Sequence, residues 1–312
     1  MSLSSFIAAS ANFVNSDIQT AMPILLAATG LIFNERTGVV NIGVEGVMLM
    51  GALAGVAGSF LLGNVWLGVL VAIAAGGILG LIFTFFVETA RADQVVVGMA
   101  FNLLGLGLTT MLNRAMFGLN TTPPRIDSFH PVSIPFLSKL PFFGTAFFTH
   151  TYLTYLAFLV IPLVSFIVFK TNIGLVLRSV GEHPRAADTV GINVVRVRYL
   201  AGMVSCMFGA VGGAYLSLSQ LNFFTENMTA GRGFIALAAV VFGKWSPAGV
   251  LGAAILFGAG SALSYQLQTL NSYISSSQLL LTLPYVLTLL GLAGFVGKAV
   301  GPAASGKPYI KE

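Results

Sequence analysis

Asn41 and Glu45 lie in the apolar stretch GVVNIGVEGVMLMGAL, residues 38–53. Four positions apart, they share one face of a helix. A carboxylate in such a place can cap a helix end, pair with a neighbouring helix, gate a polar path or couple to an ion. The usual catalytic groups are scattered by comparison. His130, His150 and His183 lie in or beside connections, without metal-ligand spacing. Cys206, the single cysteine, falls in an apolar segment and can form no internal disulfide. No Ser/His/Asp or Cys/His pairing is suggested, and GEHPRAAD is not an H-E-x-x-H zinc site. GKWS, GKAV and GKPY each lack the glycine-rich loop that precedes a phosphate-binding lysine. The expectation is a chain with no catalytic residue, no metal ligand and no ATP hydrolysis of its own.

The elements that carry these residues follow from composition. Charged residues make up 8% of 312, against about 25% in a soluble domain. The hydrophobic fraction is 56% and the mean hydropathy +0.90, so lipid must solvate much of the surface. The apolar runs are continuous rather than alternating, which disfavours a β-barrel. The fold class is therefore an all-α polytopic membrane protein, one transmembrane domain over residues 1–312. A hydrocarbon core about 30 Å thick needs roughly 20 apolar residues per crossing. Candidate spans fall near 18–33, 39–62, 65–87, 95–117, 151–169, 197–218, 229–243, 247–268 and 278–297, eight to ten crossings in all. The segment 229–243 is short and reads as a half-helix or re-entrant piece. The N-terminus has no basic region before its apolar residues and does not resemble a cleaved signal peptide.

Two connections stand out. Residues 118–150 carry Pro123, Pro124, Pro131, Pro135 and Pro141, and few charges. Residues 170–196 are strongly basic. Placing the second in the cytoplasm and alternating the spans puts eleven of the 15 Lys and Arg residues inside, as membrane orientation requires. The C-terminus is then cytoplasmic. With nine spans the N-terminus is outside, and a tenth crossing would reverse it. The net charge of +5 comes from residues at the ends of apolar segments, a pattern of membrane insertion and not of nucleic-acid binding.

Polar stripes mark several spans. Gln94, Gly98, Asn102, Gly105, Thr109 and Asn113 step by three or four residues and share one side of a helix. Gly202, Ser205, Gly209, Gly213, Ser217 and Gln220 repeat the device, as do Gly260, Ser264 and Gln268. Small-x-x-x-small pairs occur at Gly51/Gly55 and Gly76/Gly80. Close helix packing accounts for the glycines. Asn41, Glu45, Gln94, Asn102, Thr109, Ser205, Ser217 and Gln220 are the candidates for a polar translocation path, since polar groups at membrane depth face the interior or a cavity.

The segment RSVGEHPRAADTVGIN, 178–193, is a different kind of signal. Pro184 suits a first helical position and Gly191 is placed to end a helix, which predicts a short helix near 183–190. A short exposed helix suits docking into a partner's groove. The segment resembles the coupling helix of ABC-importer permeases of the branched-chain amino acid and ribose class, whose pattern is close to R-x-V-G-E-N-P-x-A-A-x-x-x-G-I. Arg178, Val180, Gly181, Glu182, Pro184, Ala186, Ala187, Gly191 and Ile192 match; His183 stands where Asn is usual. The stretches 35–52 and 226–249 are similar to signatures of the nucleoside branch. The resemblance covers nearly the whole chain and is closest to the shorter of the two permeases in purine- or general-nucleoside importers.

The resemblance implies a permease subunit in a bacterial cytoplasmic membrane. It implies an ATP-binding subunit that carries ATP and Mg²⁺, a second related permease and an extracytoplasmic substrate-binding lipoprotein. Glu182, Pro184, Arg185, Ala186, Ala187 and Asp188 would seat in the ATPase groove; 118–150 and 221–231 would face the binding protein. Two rival readings are an ion-coupled secondary transporter, with Glu45 as its coupling group, and a non-transporting scaffold. Sugars or other small polar solutes on the same scaffold are a further alternative. For Glu45 itself, Gly43 and Gly46 predict a helix break near 38–46 that leaves the carboxylate at a helix N-terminus, where the dipole favours negative charge.

Overall fold

A computed structural model describes residues 3–118, 125–140, 142–270, 282, 286 and 300–310. The chain is a helical bundle: α1 (Leu3–Glu35), α2 (Val44–Leu62), α3 (Val65–Thr84), α4 (Gln94–Phe117), α5 (Phe143–Phe147), α6 (Tyr152–Lys170), α7 (Asn172–Glu182), α8 (Pro184–Thr189), α9 (Val194–Tyr215), α10 (Arg232–Phe242) and α11 (Pro247–Leu270). One π-helical turn, Phe85–Thr89, extends α3 and another, Leu216–Leu221, extends α9. Among the described residues, strands are confined to a two-residue pairing of β1 (Val132–Ser133) with β2 (Thr149–His150). Among the described residues, seven helices are long and apolar enough to cross a membrane.

The short segment 229–243 forms a half-length helix, one of the two forms its length suggested. Its helix, α10, has 11 residues and a length of about 16 Å, half a hydrocarbon core. The expected span at 278–297 lies outside the described residues, apart from 282 and 286. The basic connection contains more than one short helix: α7 precedes α8 and buries Gly174, Leu177, Val180 and Gly181 on one face.

Helix boundaries follow local chemistry. Asn64 and Asp93 cap α3 and α4, with side-chain oxygens accepting from Trp66 N and from Val95 N and Val96 N. Thr171 and Asn193 do the same for α7 and α9. Gly63, at φ 64°, ends α2 in the left-handed conformation that glycine adopts without strain.

The layering is read from burial. In α1, 83% of the apolar window is buried inside the protein; in α4 the share is 28%. α1 is therefore the central helix, packed on α9 and α11, and α4 lies at the periphery. Val95, Val96, Met99, Leu103 and Leu104 of α4 face outward, as do Leu70, Ile78 and Leu81 of α3.

The small-residue stripes are contact surfaces. A Cβ at Gly51 or Gly55 of α2 would meet Ala210 or Ala214 of α9. At Gly76 or Gly80 of α3 it would meet the α9 backbone at Cys206 or Gly202. These helices approach as closely as they do because no side chain stands between their backbones, the source of stability open to helices in lipid.

Candidate functional site

α1 ends at Glu35, α2 begins at Val44, and the eight residues between them are non-helical. Their backbone groups need partners. Asn34 O accepts from Thr37 N and Val39 N, and Asn41 Oδ1 accepts from Gly43 N at 3.0 Å. The stripe on α4 supplies others. Val40 N donates to Gln94 Oε1 at 2.8 Å, Gly46 N to Asn102 Oδ1 at 2.9 Å, and Asn102 Nδ2 to Ile42 O at 3.0 Å. A Cβ at Gly98 or Gly105 of α4 would collide with residues 42–46. The stripe is thus the seat for residues 40–46.

Glu45 lies in the first turn of α2, yet its carboxylate serves another helix. Gly231 N donates to Oε1 at 2.7 Å and Gly233 N to Oε2 at 2.6 Å. Gly231, at φ 85°, immediately precedes α10, which has no side-chain cap of its own. Glu45 therefore takes up two of the unsatisfied N–H groups at that helix start, and two helix N-termini converge on one negative charge.

Four more path candidates also bond inside the protein or are buried in it. Thr109 Oγ1 donates to Gly105 O within its own helix, and Ser217 Oγ donates to Ala52 O at 2.9 Å. Ser205 is buried beside Gly30. Asn41 Nδ2 donates to Cys206 Sγ at 3.4 Å. Gln220 differs: half-buried, it lines a cavity with Gln19 near the other end of α1.

A second set of residues, not singled out in the sequence, ties one end of the bundle together. Arg198 of α9 pairs with Glu88 at 2.9 Å, both side chains fully buried. Arg198 Nε also donates to Thr37 O and Nη1 to Lys307 O. Glu35 accepts from Trp245 Nε1, while Arg36 donates twice to Trp245 O. Arg36 and Arg178 each stand 5.6 Å from the Phe169 ring centre. Burial, then the charge of Arg178, push the Arg36 guanidinium below its ordinary value, opposed by Glu182. Arg198 was traceable as a charge inside the expected span 197–218, and Glu88 stands just past the end of the span at 65–87. The carbonyls they meet were not traceable.

Residues 300–310 form a strap across the same end. Ala304 N donates to Gly181 O and Gly306 N to Gly38 O, both at 2.9 Å. Tyr309 is buried with Val180, Ala187 and Val194. The strap thus joins α7, the connection after α1 and the start of α9.

α8 stands on this base. Pro184 occupies its first turn and Gly191, at φ 89°, follows it. Glu182, Arg185 and Ala186 are exposed, and Pro184 and Asp188 are partly so. Ala187 is 3% exposed, which corrects its place on the docking face: its methyl points into the cluster with Tyr309. Between α8 and the strap runs a groove of about 580 Å³ that includes Glu182, Arg185, Ala186, Lys307 and Ile310 in its walls.

Residues 16–292 match the family described as branched-chain amino acid transport system / permease component. The guanosine ABC transporter permease protein NupQ of Bacillus subtilis is 44% identical over 93% of this chain and 94% of its own length. The nucleoside ABC transporter permease protein NupC of Lactococcus lactis is 38% identical over 93% of each chain. A Haloferax volcanii permease named for glucose, TsgC13, is 41% identical over 84% of this chain and 79% of its own.

Proposed function

The chain belongs to the family of permease components of branched-chain amino acid transport systems, and from that premise we propose that it is the transmembrane permease subunit of an ATP-driven nucleoside importer. The observation that carries the coupling part is α8: a short helix with exposed Glu182, Arg185 and Ala186, seated on a base built from α7, α9 and the strap. Such a helix suits a groove on an ATP-binding subunit, which would supply the ATP and Mg²⁺ that this chain has no motif to hold. The nucleoside part is supported by the names of the Bacillus and Lactococcus relatives.

On this reading the strapped end faces the bacterial cytoplasm, a second related permease completes the path, and an extracytoplasmic lipoprotein delivers substrate. Closure of the ATPases pushes on α8. The push passes through Gly181 O and Ala304 N to the strap, and through Gly306 N to Gly38 O at the end of α1. Arg198 links the same strap to Glu88 and Thr37. Residues 36–43 then move with the docking helix, and Glu45 carries that movement to α10.

The Haloferax relative supports a second reading, a sugar on the same scaffold. Competition separates the two: excess unlabelled guanosine, and not glucose, should suppress uptake of labelled guanosine by the full complex in proteoliposomes. Suppression by glucose alone would overturn the nucleoside assignment.

A further inference from the structure

The π-helical turn at the end of α9 and the first half of α1 enclose, with α11, a cavity of about 410 Å³. It lies far from the docking end: Gln19 is about 24 Å along α1 from Glu35. Its walls include Ser16, Gln19, Ser219, Gln220, Tyr265 and Gln266. None of the described lining residues is ionised at neutral pH. Gln19 donates through Nε2 to Asn15 Oδ1, and Gln220 donates through Nε2 to Gln19 O. Both amide carbonyl oxygens are left without a partner among the described residues. π-turns are rare and occur often at functional sites; here the turn carries Ser219 and Gln220 into the wall.

The cavity has a neighbour. A smaller one, of about 180 Å³, shares Gln19 and Ser219 in its wall, which also includes Ser128, His130 and Thr149 of the connection before α6, Tyr215, and the apolar Phe129 and Pro131. Polar lining therefore continues from that connection into the bundle. A cavity of about 450 Å³ between α1, α3, α6 and α9 is walled by apolar and aromatic side chains and offers a polar solute little to bond.

We infer that the cavity between α1, the π-turn and α11 is a recognition site for a neutral nucleoside on its way through the bundle. This rests on the importer reading above. The two amide oxygens accept from base N–H groups, serine hydroxyls meet the ribose, and the half-exposed Tyr265 ring offers a face to the base. The volume is within the range of small-ligand sites. A phosphate would meet one cation at most, Arg232, whose Nη2 donates to the Tyr265 hydroxyl at 3.2 Å, so the site favours neutral nucleosides over nucleotides.

Because Cys206, the single cysteine here, is fully buried, an introduced thiol can be read on this chain, separated from its partners, against a silent background. The test is labelling of Ser219→Cys, and separately Ser16→Cys, by a water-soluble maleimide in the full complex in proteoliposomes. With guanosine at about ten times its half-saturating concentration, labelling of both should slow about ten-fold, while adenosine monophosphate has no effect. Gln19→Leu should raise the guanosine concentration for half-maximal uptake about ten-fold and lower the maximal rate less, as expected for a lost hydrogen bond in binding. Labelling that guanosine leaves unchanged, in liposomes that import guanosine, overturns the inference and leaves the importer reading standing. Complete liposomes that import no guanosine overturn that reading and the inference with it.

Discussion

The two ends of α1 use polar residues in opposite ways. At the Glu35 end, Asn41, Asn102, Glu45 and Arg198 give their polar atoms chiefly to backbone groups and to one buried ion pair. At the Gln19 end, amide oxygens face a cavity with no partner among the described residues. Both sets look alike in a sequence, as amides and hydroxyls at helical spacing in apolar runs. The difference is what stands opposite them. Irregular backbone absorbs polar side chains, because each unpaired group in a membrane interior is costly. The helical segments that line the cavity beside the π-turn leave theirs available.

Substitutions can break this contrast, starting with the ion pair. Arg198→Ala leaves Glu88 buried and unpaired, a loss of about 3–5 kcal/mol. Thermal unfolding of the detergent-solubilised complex should fall sharply, and Glu88→Gln added to Arg198→Met should restore much of it. A single variant as stable as the double would show that the pair does not hold this end together.

Glu45→Ala comes next. It strands the buried N–H of Gly233 and the half-buried N–H of Gly231 at the start of α10, at about 1–3 kcal/mol for a buried group and less for the other. Glu45→Gln keeps one acceptor and should lose about half as much stability. Equal stability of the two variants would remove the capping role and return Glu45 to the path.

A third pair concerns the docking face. Ala186→Asp puts a charge on the exposed side of α8, so the chain should insert normally while ATPase subunits fail to co-purify. Ala187→Asp buries its charge against Val180 and Tyr309 and should lower the yield of folded chain first. Normal assembly of Ala186→Asp would show that α8 presents another face.

The smallest effect is at His150. Burial pushes its imidazole below the ordinary 6.5, while a bond to Ala146 O opposes this. The folded chain then binds fewer protons than the unfolded one just below pH 6.5, so stability is present above that value and lost as pH falls toward the folded pKa. Acidification from neutral pH should loosen the 143–150 segment in hydrogen exchange. His150→Gln should remove that pH dependence.

How much of this was readable in the sequence depended on locality. The docking helix after Pro184 follows from neighbouring residues and was read from them; the caps at Asn64, Asp93, Thr171 and Asn193 are equally local but were not singled out in the sequence. The α4 stripe was readable as a face, but what it seats was not: residues 40–46 lie more than fifty positions away. Likewise Glu45 was readable as a capping carboxylate, while the helix it caps begins at Arg232. Ala187 was misplaced because a six-residue helix has too few turns to show its buried side. The strap at 300–310 has no periodicity, and its role comes from backbone hydrogen bonds that any sequence could make.

The central claim is that this chain moves its solute only when an ATP-binding subunit drives it. The direct measurement is uptake of radiolabelled guanosine into proteoliposomes that hold this chain and its partner permease, with binding protein and ATP, with and without the ATPase subunit. Uptake that requires the ATPase and hydrolysable ATP is the predicted result. Uptake that persists without the ATPase, driven by a proton or sodium gradient, would contradict it.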